Sequence, residues 1–418
     1  MFGKPATDFY TIGYPGPSLD ESVGVHLLGS PADDPDTGTR AGEVVLTEVE
    51  PLLIDLAVGR KPRAARDPAA LVAAAADQRM VGLLWQATRS GDVALDEVQK
   101  KRIAIGQVRS RSREAKIVAV LPKVLEIARS IDVRLVLFKG AALEYQLYRV
   151  SGLRPYTDLD IAVAPESRAR FGELVERLDP AHSLANNAQR LSDAGVLDSI
   201  DIQLDGVWID LHVDPFKVGL ELREPDLVWD STEVVDIAGI DVEVFGLEAA
   251  ALQMMLHELK DRFSFLIGHC DLLRLCTDPR LDRALLRRMI GAQGYDSLFT
   301  FVMDVVEDDL AQVIHPTKAV RGWRHVVARR VWPSHIRLGG SQGRVDHHRR
   351  QQFIPFLATG RVLEALRWWR HVVFPSPVML VYWGEQLHPH HPKLRGPYFW
   401  KLLSRRRYLR RDRRSEDV

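Results

Sequence analysis

Two alternating segments joined by a two-residue turn constrain the fold of this chain most strongly. Apolar side chains recur at every second position in Ser199–Leu204 and again in Val207–Val213, a pattern typical of strands with one buried face. Asp205 and Gly206 separate the two segments, and an Asp-Gly pair between alternating strands is a strong signal for a tight hairpin. The sequence therefore predicts an antiparallel hairpin and, with it, a β-sheet.

Further strands and many helices complete a predicted α+β fold. Arg134–Phe138 is a short apolar run rich in β-forming residues, and Thr157–Val163 alternates polar with apolar residues. A second hairpin is predicted over Thr232–Phe245, with its turn at Ala238-Gly239. Helical periodicity predicts helices before and after these strands, one of which begins at Pro68 and runs to Trp85. We expect a small mixed sheet with flanking helices.

Composition divides the chain into five predicted segments. Residues 1–43 are rich in Pro, Gly, Asp and Thr and are predicted to form a disordered or extended leader. The other segments are a helical lead-in (44–131), a core with the sheet (132–246), a helical segment (247–315) and a C-terminal region rich in Arg, Trp and His (316–418). This last region ends in a basic tail after Lys401.

Net charge does not indicate nucleic acid or an acidic membrane as the partner, because Lys plus Arg and Asp plus Glu are each 56. No segment reaches the roughly 18 uninterrupted apolar residues of a membrane-spanning helix, and the N-terminus lacks a signal-peptide pattern. Cys270 and Cys276 are too few for a disulfide framework, and we predict that both are buried thiols. We therefore expect a cytoplasmic protein.

The acidic pair in Asp158-Leu159-Asp160 is the most informative candidate site. Residues i and i+2 of a strand point to the same side and lie about 6.5 Å apart, so both carboxylates can converge on divalent cations. Burying two like charges on one face is costly without a positive partner, and Mg²⁺ prefers oxygen ligands. A solvated strand end or a turn cap is the alternative interpretation of an Asp-x-Asp segment.

Asp210 lies in a similar setting, between two apolar neighbours in the second strand of the predicted hairpin. If that strand neighbours the strand with Asp158 and Asp160, three carboxylates meet at one edge of the sheet. Three carboxylates with two Mg²⁺ ions suit in-line phosphoryl transfer. His212 shares the face of Asp210, where it is either a hydrogen-bonded core residue or a group that supports the site.

Lys139 and Gly140 stand where a predicted strand meets a predicted helix. Glycine lets the backbone approach a ligand closely, and a helix N-terminus favours an anionic phosphate, to which Lys139 adds a positive charge. A simple tight turn with a surface lysine is the alternative. The glycine spacing of a Walker-type loop is absent from this segment.

Five sequence elements together match the signature of one known family. They are Phe138–Leu143, Tyr148, Gly152–Arg154, Thr157–Ile161 and Asp210–His212. In this combination they resemble the uncharacterised bacterial nucleotidyltransferase family of the polymerase-β-like superfamily. Weaker similarity continues to a C-terminal Phe-Pro-Ser turn, at His257, Arg262-Phe263, Asp271-Leu272 and Phe374–Ser376.

The resemblance implies a nucleotidyltransferase fold in which Asp158, Asp160 and Asp210 are both the catalytic residues and the ligands of Mg²⁺ or Mn²⁺. It also implies a nucleoside triphosphate as substrate. Transfer of a nucleoside monophosphate to an acceptor would release pyrophosphate. The resemblance does not identify the acceptor, for which a small molecule, a peptide and an RNA are the candidates.

The resemblance further implies that Gly140 and Ala141 contact the phosphates of the nucleotide. The broader superfamily has Gly-Ser or Gly-Thr at this turn, whereas Ala141 has no hydroxyl group. We hypothesise that Lys139 and Arg154 compensate with positive charge. For Arg154, a salt bridge to one of the acids is the alternative to a phosphate contact.

Two other functions stay open. The absence of a hydroxyl group at Ala141 is compatible with a non-catalytic binding or scaffold protein on a degenerate nucleotidyltransferase fold. A toxin-type transferase that modifies tRNA is the other possibility, because Trp368, Trp369 and the arginines after Lys401 combine stacking with positive charge. An amphipathic helix followed by a solvated tail explains the same residues without RNA.

Overall fold

A computed structural model describes residues 49–182, 184–193, 195, 197–216, 220–261, 263–331, 354–361, 363–364 and 366. The predictions for the leader, for Arg262, for Trp368 and Trp369, for Phe374–Ser376 and for the basic tail lie outside these residues. Within the described part of the chain, every helix is too short or too polar to cross a membrane.

Six strands form one mixed sheet in the order β3-β4-β2-β1-β6-β5. The strands are β1 (Leu135–Leu137), β2 (Leu159–Val163), β3 (Ser199–Leu204), β4 (Val207–His212), β5 (Thr232–Ile237) and β6 (Ile240–Phe245). Strand β2 runs antiparallel to β1 and parallel to β4, while β1 runs parallel to β6. This mixed sheet with its many helices confirms the predicted α+β class.

Both predicted hairpins are present, and their turns explain their register. Asp205 and Gly206 have φ values of 50° and 78°, and Ala238 and Gly239 have 53° and 87°. Positive φ at both central residues is the geometry whose twist matches that of the flanking strands. Consequently Leu204 pairs with Val207, and the rest of the β3–β4 register follows from that pair.

Helices surround the sheet along the whole described chain. They are α1 (residues 49–57), α2 (Pro68–Asp77), α3 (Val81–Arg89), α4 (Glu97–Ser130), α5 (Lys139–Leu143), α6 (Phe171–Leu178), α7 (Ala188–Asp193), α8 (Pro225–Trp229), α9 (Leu247–Asp261), α10 (Leu266–Thr277), α11 (Arg283–Gln293), α12 (Asp296–Leu310), α13 (Trp323–Val331) and α14 (Ile354–Thr359). A π-helical turn, Glu144–Tyr148, extends α5. Asp67, Asp96 and Asp282 cap α2, α4 and α11 through their side chains, which satisfies free backbone N–H groups.

The single helix predicted from Pro68 to Trp85 was wrong, because the chain breaks into α2 and α3. Arg79 has a φ of 58°, and the N–H of Met80 donates back to the carbonyl of Ala75 at 2.7 Å. The buried side chain of Gln78 accepts the N–H of Leu266 at 3.0 Å. This tertiary hydrogen bond fixes the break, and helical periodicity contains no information about it.

Two apolar cores lie on opposite faces of the sheet. Alternate residues of the central strands divide between them, so Val136 and Ala162 belong to one core while Leu137 and Ile161 belong to the other. The first core, called the helical core here, also contains apolar residues of α1–α3 and α9–α12. The second, called the sheet core, contains residues of α4 and α6. Asp160 alternates in phase with Ala162, so its side chain points to the face of the helical core.

Both cysteines lie in α10 as free, buried thiols. They belong to the helical core, and burial raises the pKa of the Cys276 thiol to about 12. A thiol with such a high pKa is a poor nucleophile. The structure therefore gives both cysteines a packing role.

Candidate functional site

Asp160 and Asp210 lie side by side on neighbouring strands. They are direct partners in the parallel pairing of β2 with β4, so both side chains leave the same face of the sheet. Asp160 is buried and Asp210 is half-buried. One ligand atom from each of these residues and one from His212 lie within 4.8 Å of one another. This spacing is short enough for the three side chains to share one metal ion.

Lys139 neutralises part of this negative charge. Its Nζ atom donates to Oδ1 of Asp160 at 2.8 Å. Burial by itself would lower the pKa of Lys139, but the charges of Asp160 and Asp210 outweigh burial and raise that pKa above its usual value. Burial would likewise raise the pKa of Asp160, but the charge of Lys139 holds it well below the usual range. Both groups are therefore ionised at neutral pH.

The backbone of Lys139 is in an uncommon conformation. Its φ is 52°, a left-handed geometry that costs a non-glycine residue about 1–3 kcal/mol. The preceding residue, Phe138, is extended and donates its N–H to the carbonyl oxygen of Asp160 at 3.1 Å. The sharp change from β1 to α5 thus turns the lysine side chain toward the strand that carries Asp160.

His212 places a second cationic group between the two aspartates. Its Nε2 atom lies 2.6 Å from Oδ2 of Asp210 and 3.6 Å from Oδ1 of Asp160. The ring packs edge-on against Phe138, with 4.9 Å between the ring centroids. Burial lowers the pKa of His212, but the charges of Asp210 and Asp160 outweigh it and raise the pKa above its usual value. His212 thus belongs to the acidic site.

Asp158 lies at the edge of this group, one residue before β2 begins. Burial and the charge of Asp160 raise its pKa to about 6, against the opposing charges of Lys139 and Arg79. It does not belong to this group of converging ligand atoms, whose members are Asp160, Asp210 and His212. Asp158 is therefore placed beside the cluster, close enough to interact with the charges of Asp160 and Lys139.

Asp201 is a fourth carboxylate that the sequence analysis did not identify. It is the direct partner of Asp210 in the antiparallel pairing of β3 with β4. Burial and the charges of Asp210 and Asp158 raise its pKa to about 7. The two-residue turn at Asp205-Gly206 could have revealed it, because Asp201 and Asp210 lie equally far from that turn along the two strands.

The last turn of α9 brings a further pair of ionisable side chains close to Lys139. His257 and Asp261 form an i,i+4 pair with 3.2 Å between Nε2 and Oδ2. Burial lowers the pKa of His257 to about 4, although the charge of Asp261 opposes this shift. The charge of Asp261 also contributes to the raised pKa of Lys139. This pair therefore belongs to the electrostatic surroundings of the lysine.

Arg79 brings a further positive charge from the break between α2 and α3. Its side chain lies over the ring of Phe265, with 4.1 Å between Cζ and the ring centroid. Its charge lowers the pKa of Asp158, and the residue is exposed. Arg79 could not be recognised from the sequence, because it comes from a segment far from the acidic strands and carries no motif.

Gly140 and Ala141 are both buried beside Lys139. A Cβ atom on Gly140 would lie 2.6 Å from Cβ of Tyr156 and 3.0 Å from Nη1 of Arg154, closer than carbon atoms can approach without rearrangement. Ala141 packs in the sheet core. Packing explains the small size of both residues, and their predicted contact with phosphates stays a prediction.

Arg154 lies behind Gly140 and is bound to Asp271. Its Nε and Nη2 atoms donate to Oδ2 of Asp271 at 3.0 and 2.8 Å. Tyr148 donates its hydroxyl to the other carboxylate oxygen at 2.7 Å. The salt-bridge alternative considered for Arg154 is thus present, although its partner is a buried residue of α10 and not one of the three site aspartates.

The donor set fits a divalent cation. Carboxylate oxygens predominate, as Mg²⁺ and Mn²⁺ prefer, and a neutral His212 can add one nitrogen ligand. Within the described chain, the buried Oδ1 atom of Asp210 has no hydrogen-bond partner. Because buried polar atoms are almost always satisfied, this oxygen is suited to bind a ligand.

Comparisons with known proteins agree with this geometry. No curated protein and no solved structure matches the chain. A family described as uncharacterised nucleotidyltransferases matches residues 64–307, more than half of the chain. The matched region begins before α2 and ends within α12, so it includes the whole sheet and both strands with paired aspartates. The chain therefore belongs to the uncharacterised nucleotidyltransferase family.

Proposed function

We propose that this protein is a divalent-metal-dependent enzyme that transfers a nucleoside monophosphate from a nucleoside triphosphate to an acceptor. The observation that supports this proposal most is the direct pairing of Asp160 with Asp210 on parallel strands. Two ionised carboxylates at that distance repel each other, and the fold keeps them together with Lys139 and His212 nearby. Keeping these charges together inside the fold lowers its stability. Stability by itself therefore does not explain the arrangement, whereas binding of a metal ion does.

In this proposal Asp158, Asp160 and Asp210 hold Mg²⁺ or Mn²⁺. Bound there, the metal supplies positive charge that activates the attacking group and stabilises the leaving pyrophosphate. Asp160, buried and ionised, fixes the position of this charge within the sheet. Asp158, less enclosed and with its pKa raised to about 6, must lose its proton before it can bind a cation.

Lys139 changes partner in this proposal. It pairs with Asp160 at 2.8 Å in the structure, and a metal on Asp160 would take over its role as counter-charge. The freed ammonium group then lies at the start of α5, where it can bind a phosphate of the nucleotide. Arg79 supplies a second positive charge close to Asp158.

The acceptor is expected on the β3 side of the cluster. Strand β3 is an edge strand of the sheet, and Asp201 extends the row of carboxylates from Asp160 through Asp210 to that edge. Lys139 occupies the opposite, β1 side. This separation of positive and negative groups supports nucleotide phosphates on the β1 side and a nucleophile on the β3 side.

A non-catalytic binding or scaffold protein is the second candidate function. Ala141 is buried and has no hydroxyl group, and Arg154 is paired with Asp271 through Nε and Nη2. Nucleotide affinity then depends on Lys139, Arg79 and backbone N–H groups. Calorimetry with a nucleoside triphosphate and Mg²⁺ separates the two functions, because the scaffold function predicts no binding at millimolar nucleotide.

Transfer of a radiolabelled α-phosphate from each of the four nucleoside triphosphates tests the enzymatic proposal. We expect release of pyrophosphate and labelling of an acceptor from a cell extract, with a loss of at least about 100-fold in Asp158→Asn and Asp160→Asn, as a lost metal ligand implies. Asp241→Asn, an exposed aspartate of the same sheet, is the matched control. Wild-type activity in both site variants would overturn the mechanism.

A further inference from the structure

The first half of α4 exposes a continuous basic face. Lys101, Arg102, Arg109, Arg113 and Lys116 are all exposed, and at about 100° per residue they fall on one side of the helix. These five cations define what we call the α4 ridge. The opposite side of the helix, with Ile103, Gln107 and Ile117, is buried.

Acidic residues do not balance this face. Within the described chain, none of the five cations has an acidic partner in an ion pair. The exposed acids at the start of the helix are engaged elsewhere, since Asp96 caps α4 through the N–H of Gln99 and Glu97 pairs with Lys100 at 2.8 Å. Glu114 points inward and accepts hydrogen bonds from Ser151 and Tyr145. The whole chain has no formal net charge, so the α4 ridge is a local concentration of positive charge.

The ridge is long enough to reach several phosphates of a duplex. From Lys101 to Lys116 the helix rises about 22 Å, at about 1.5 Å per residue. A duplex carries about one phosphate per strand for every 3.4 Å of its axis, so this length of axis holds about six phosphates on each strand. Because the phosphates wind around the axis, those that face the ridge can pair with its cations.

The side chains of this face disfavour two other modes of binding, stacking of single-stranded bases and insertion into a membrane. Val98, Ile105 and Val108 are exposed among the cations, and none of them is aromatic, so the face lacks the stacking platforms that hold single-stranded bases. Membrane-bound amphipathic helices place a wide apolar face with Trp, Phe or Leu against lipid. Here the apolar side of α4 is buried inside the protein instead.

The packing of α4 favours a shallow surface as its partner. The helix packs against α2, α3 and α6, so it presents one side along its length as a low ridge. A-form RNA has a wide, shallow minor groove bordered by phosphates and is recognised largely by its shape. A low ridge can contact those phosphates without penetrating the duplex.

We propose that the α4 ridge binds the phosphate backbone of a double-helical segment in a folded RNA. The buried side of α4 connects this surface to the site, because Gln107 donates to the carbonyl oxygen of Gly152 at 3.0 Å. Gly152 belongs to the loop that leads to Asp158. The RNA therefore binds to the part of the chain that also positions the first aspartate.

Fluorescence anisotropy with a labelled RNA hairpin tests this proposal on the full chain without any nucleotide. The test variant carries Arg102→Gln, Arg109→Gln and Arg113→Gln, since glutamine preserves helix propensity. The matched control carries Arg283→Gln, Arg287→Gln and Arg288→Gln, which removes three exposed arginines from α11. Both variants change the net charge equally, and circular dichroism verifies that they are folded.

We expect the test variant to bind the hairpin at least about tenfold more weakly near 0.1 M salt, with a salt dependence reduced by about two to three phosphate contacts. The control variant should bind like the wild type. Equal weakening in both variants, or less than a twofold change in the test variant, would overturn the proposal. Binding to anionic vesicles but not to the hairpin would also overturn it, in favour of a membrane surface.

Discussion

At the scale of single residues, Asp160 has a counter-charge even without a metal. Oδ1 of Asp160 accepts from Lys139 at 2.8 Å, and Nε2 of His212 lies 3.6 Å from the same oxygen. Both cations are held inside the fold. A metal ion therefore competes with Lys139 for Asp160 and does not enter an empty, purely negative cavity.

Lys139→Met tests this competition. The apo variant should lose roughly 3 kcal/mol of stability, because Asp160 and Asp210 keep His212 as their main counter-charge and an ion pair buried in the fold is broken. Mg²⁺ should restore more stability in the variant than it adds to the wild type, since the competing cation is absent. Differential scanning calorimetry with and without Mg²⁺ measures both effects.

Lys260→Met is the control for that experiment, because Lys260 is an exposed lysine of α9. Its melting temperature and its response to Mg²⁺ should follow the wild type. If Mg²⁺ stabilises wild type and Lys139→Met by the same amount, Lys139 does not compete with the metal.

Gly140→Ala tests the close packing at the turn between β1 and α5. The added Cβ atom would lie 2.6 Å from Cβ of Tyr156, so we expect a loss of about 1–3 kcal/mol in the free energy of unfolding, typical of overpacking. Gly291→Ala is the matched control, since a Cβ atom there meets nothing within 4 Å. The control should be neutral or up to about 1 kcal/mol more stable. Urea denaturation measures both, and equal stabilities would contradict the packing account.

The sequence predicts part of this site for a local physical reason. Alternation in a strand places Asp158 and Asp160 on one side, and the same argument applies to Asp210 in its hairpin. Predicting Asp201 requires one further step, because its place beside Asp210 follows from the register of that hairpin. Arg79 was not predictable, because its place near Asp158 depends on tertiary packing that no local pattern records.

At the scale of elements, the π-helical turn after α5 joins the loop before β2 to α4. Glu144 accepts the N–H of Gly152, and Glu114 of α4 accepts the hydroxyl of Ser151 in the same loop. Burial and the charge of Glu114 raise the pKa of Glu144 to about 8. One of the two neighbouring carboxyl groups is therefore protonated at neutral pH.

Glu144→Gln should change how stability depends on pH. The unfolded chain has a glutamate pKa of about 4.3, so between that value and about 8 the folded protein binds more protons than the unfolded one. The contribution of Glu144 to stability must therefore fall as pH rises through this window, and glutamine, which is neutral, removes that contribution. Urea denaturation at several pH values between 5 and 8 measures the slope.

Glu126→Gln, at an exposed position of α4, should keep the wild-type slope. An unchanged slope in Glu144→Gln would show that Glu144 is ionised in the folded protein throughout this range.

Helices and strands are predictable from the sequence where neighbouring residues determine the backbone conformation. The turns at residues 205–206 and 238–239 favour positive φ and set both hairpins. In contrast, nothing local specifies that β1 runs parallel to β6, a pairing recorded at Leu137 and Val244. The central position of β1 arises from packing on both faces of the sheet.

At the scale of the whole molecule, one sheet separates two apolar cores. Helices from both ends of the described chain share the helical core, which extends from Val49 to Ala358. The sheet core is built from residues between Ile117 and Val244. Strands β1, β2 and β6 contribute residues to both cores, so the two cores share the centre of one sheet.

Matched substitutions in the two cores test whether they unfold together. Leu174 of α6 and Leu252 of α9 are both fully buried, one in each core. Each change to alanine should cost about 2–5 kcal/mol and should shift the same single calorimetric transition. Two transitions, with each variant moving a different one, would show that the cores are independent units.

The parallel pairing of β2 with β4 determines which cuts and insertions in the chain the pair of aspartates can tolerate. Parallel neighbours need a long crossover, and here the chain leaves β2 at Val163 and returns at Val207. Hydrogen bonds between the strands therefore hold the two aspartates together, and the intervening sequence is not needed for this. A protein cut within this crossover should reassemble from two fragments with one paired aspartate each. In contrast, a single residue inserted into β4 before Asp210 would turn Asp210 to the opposite face and abolish the pair.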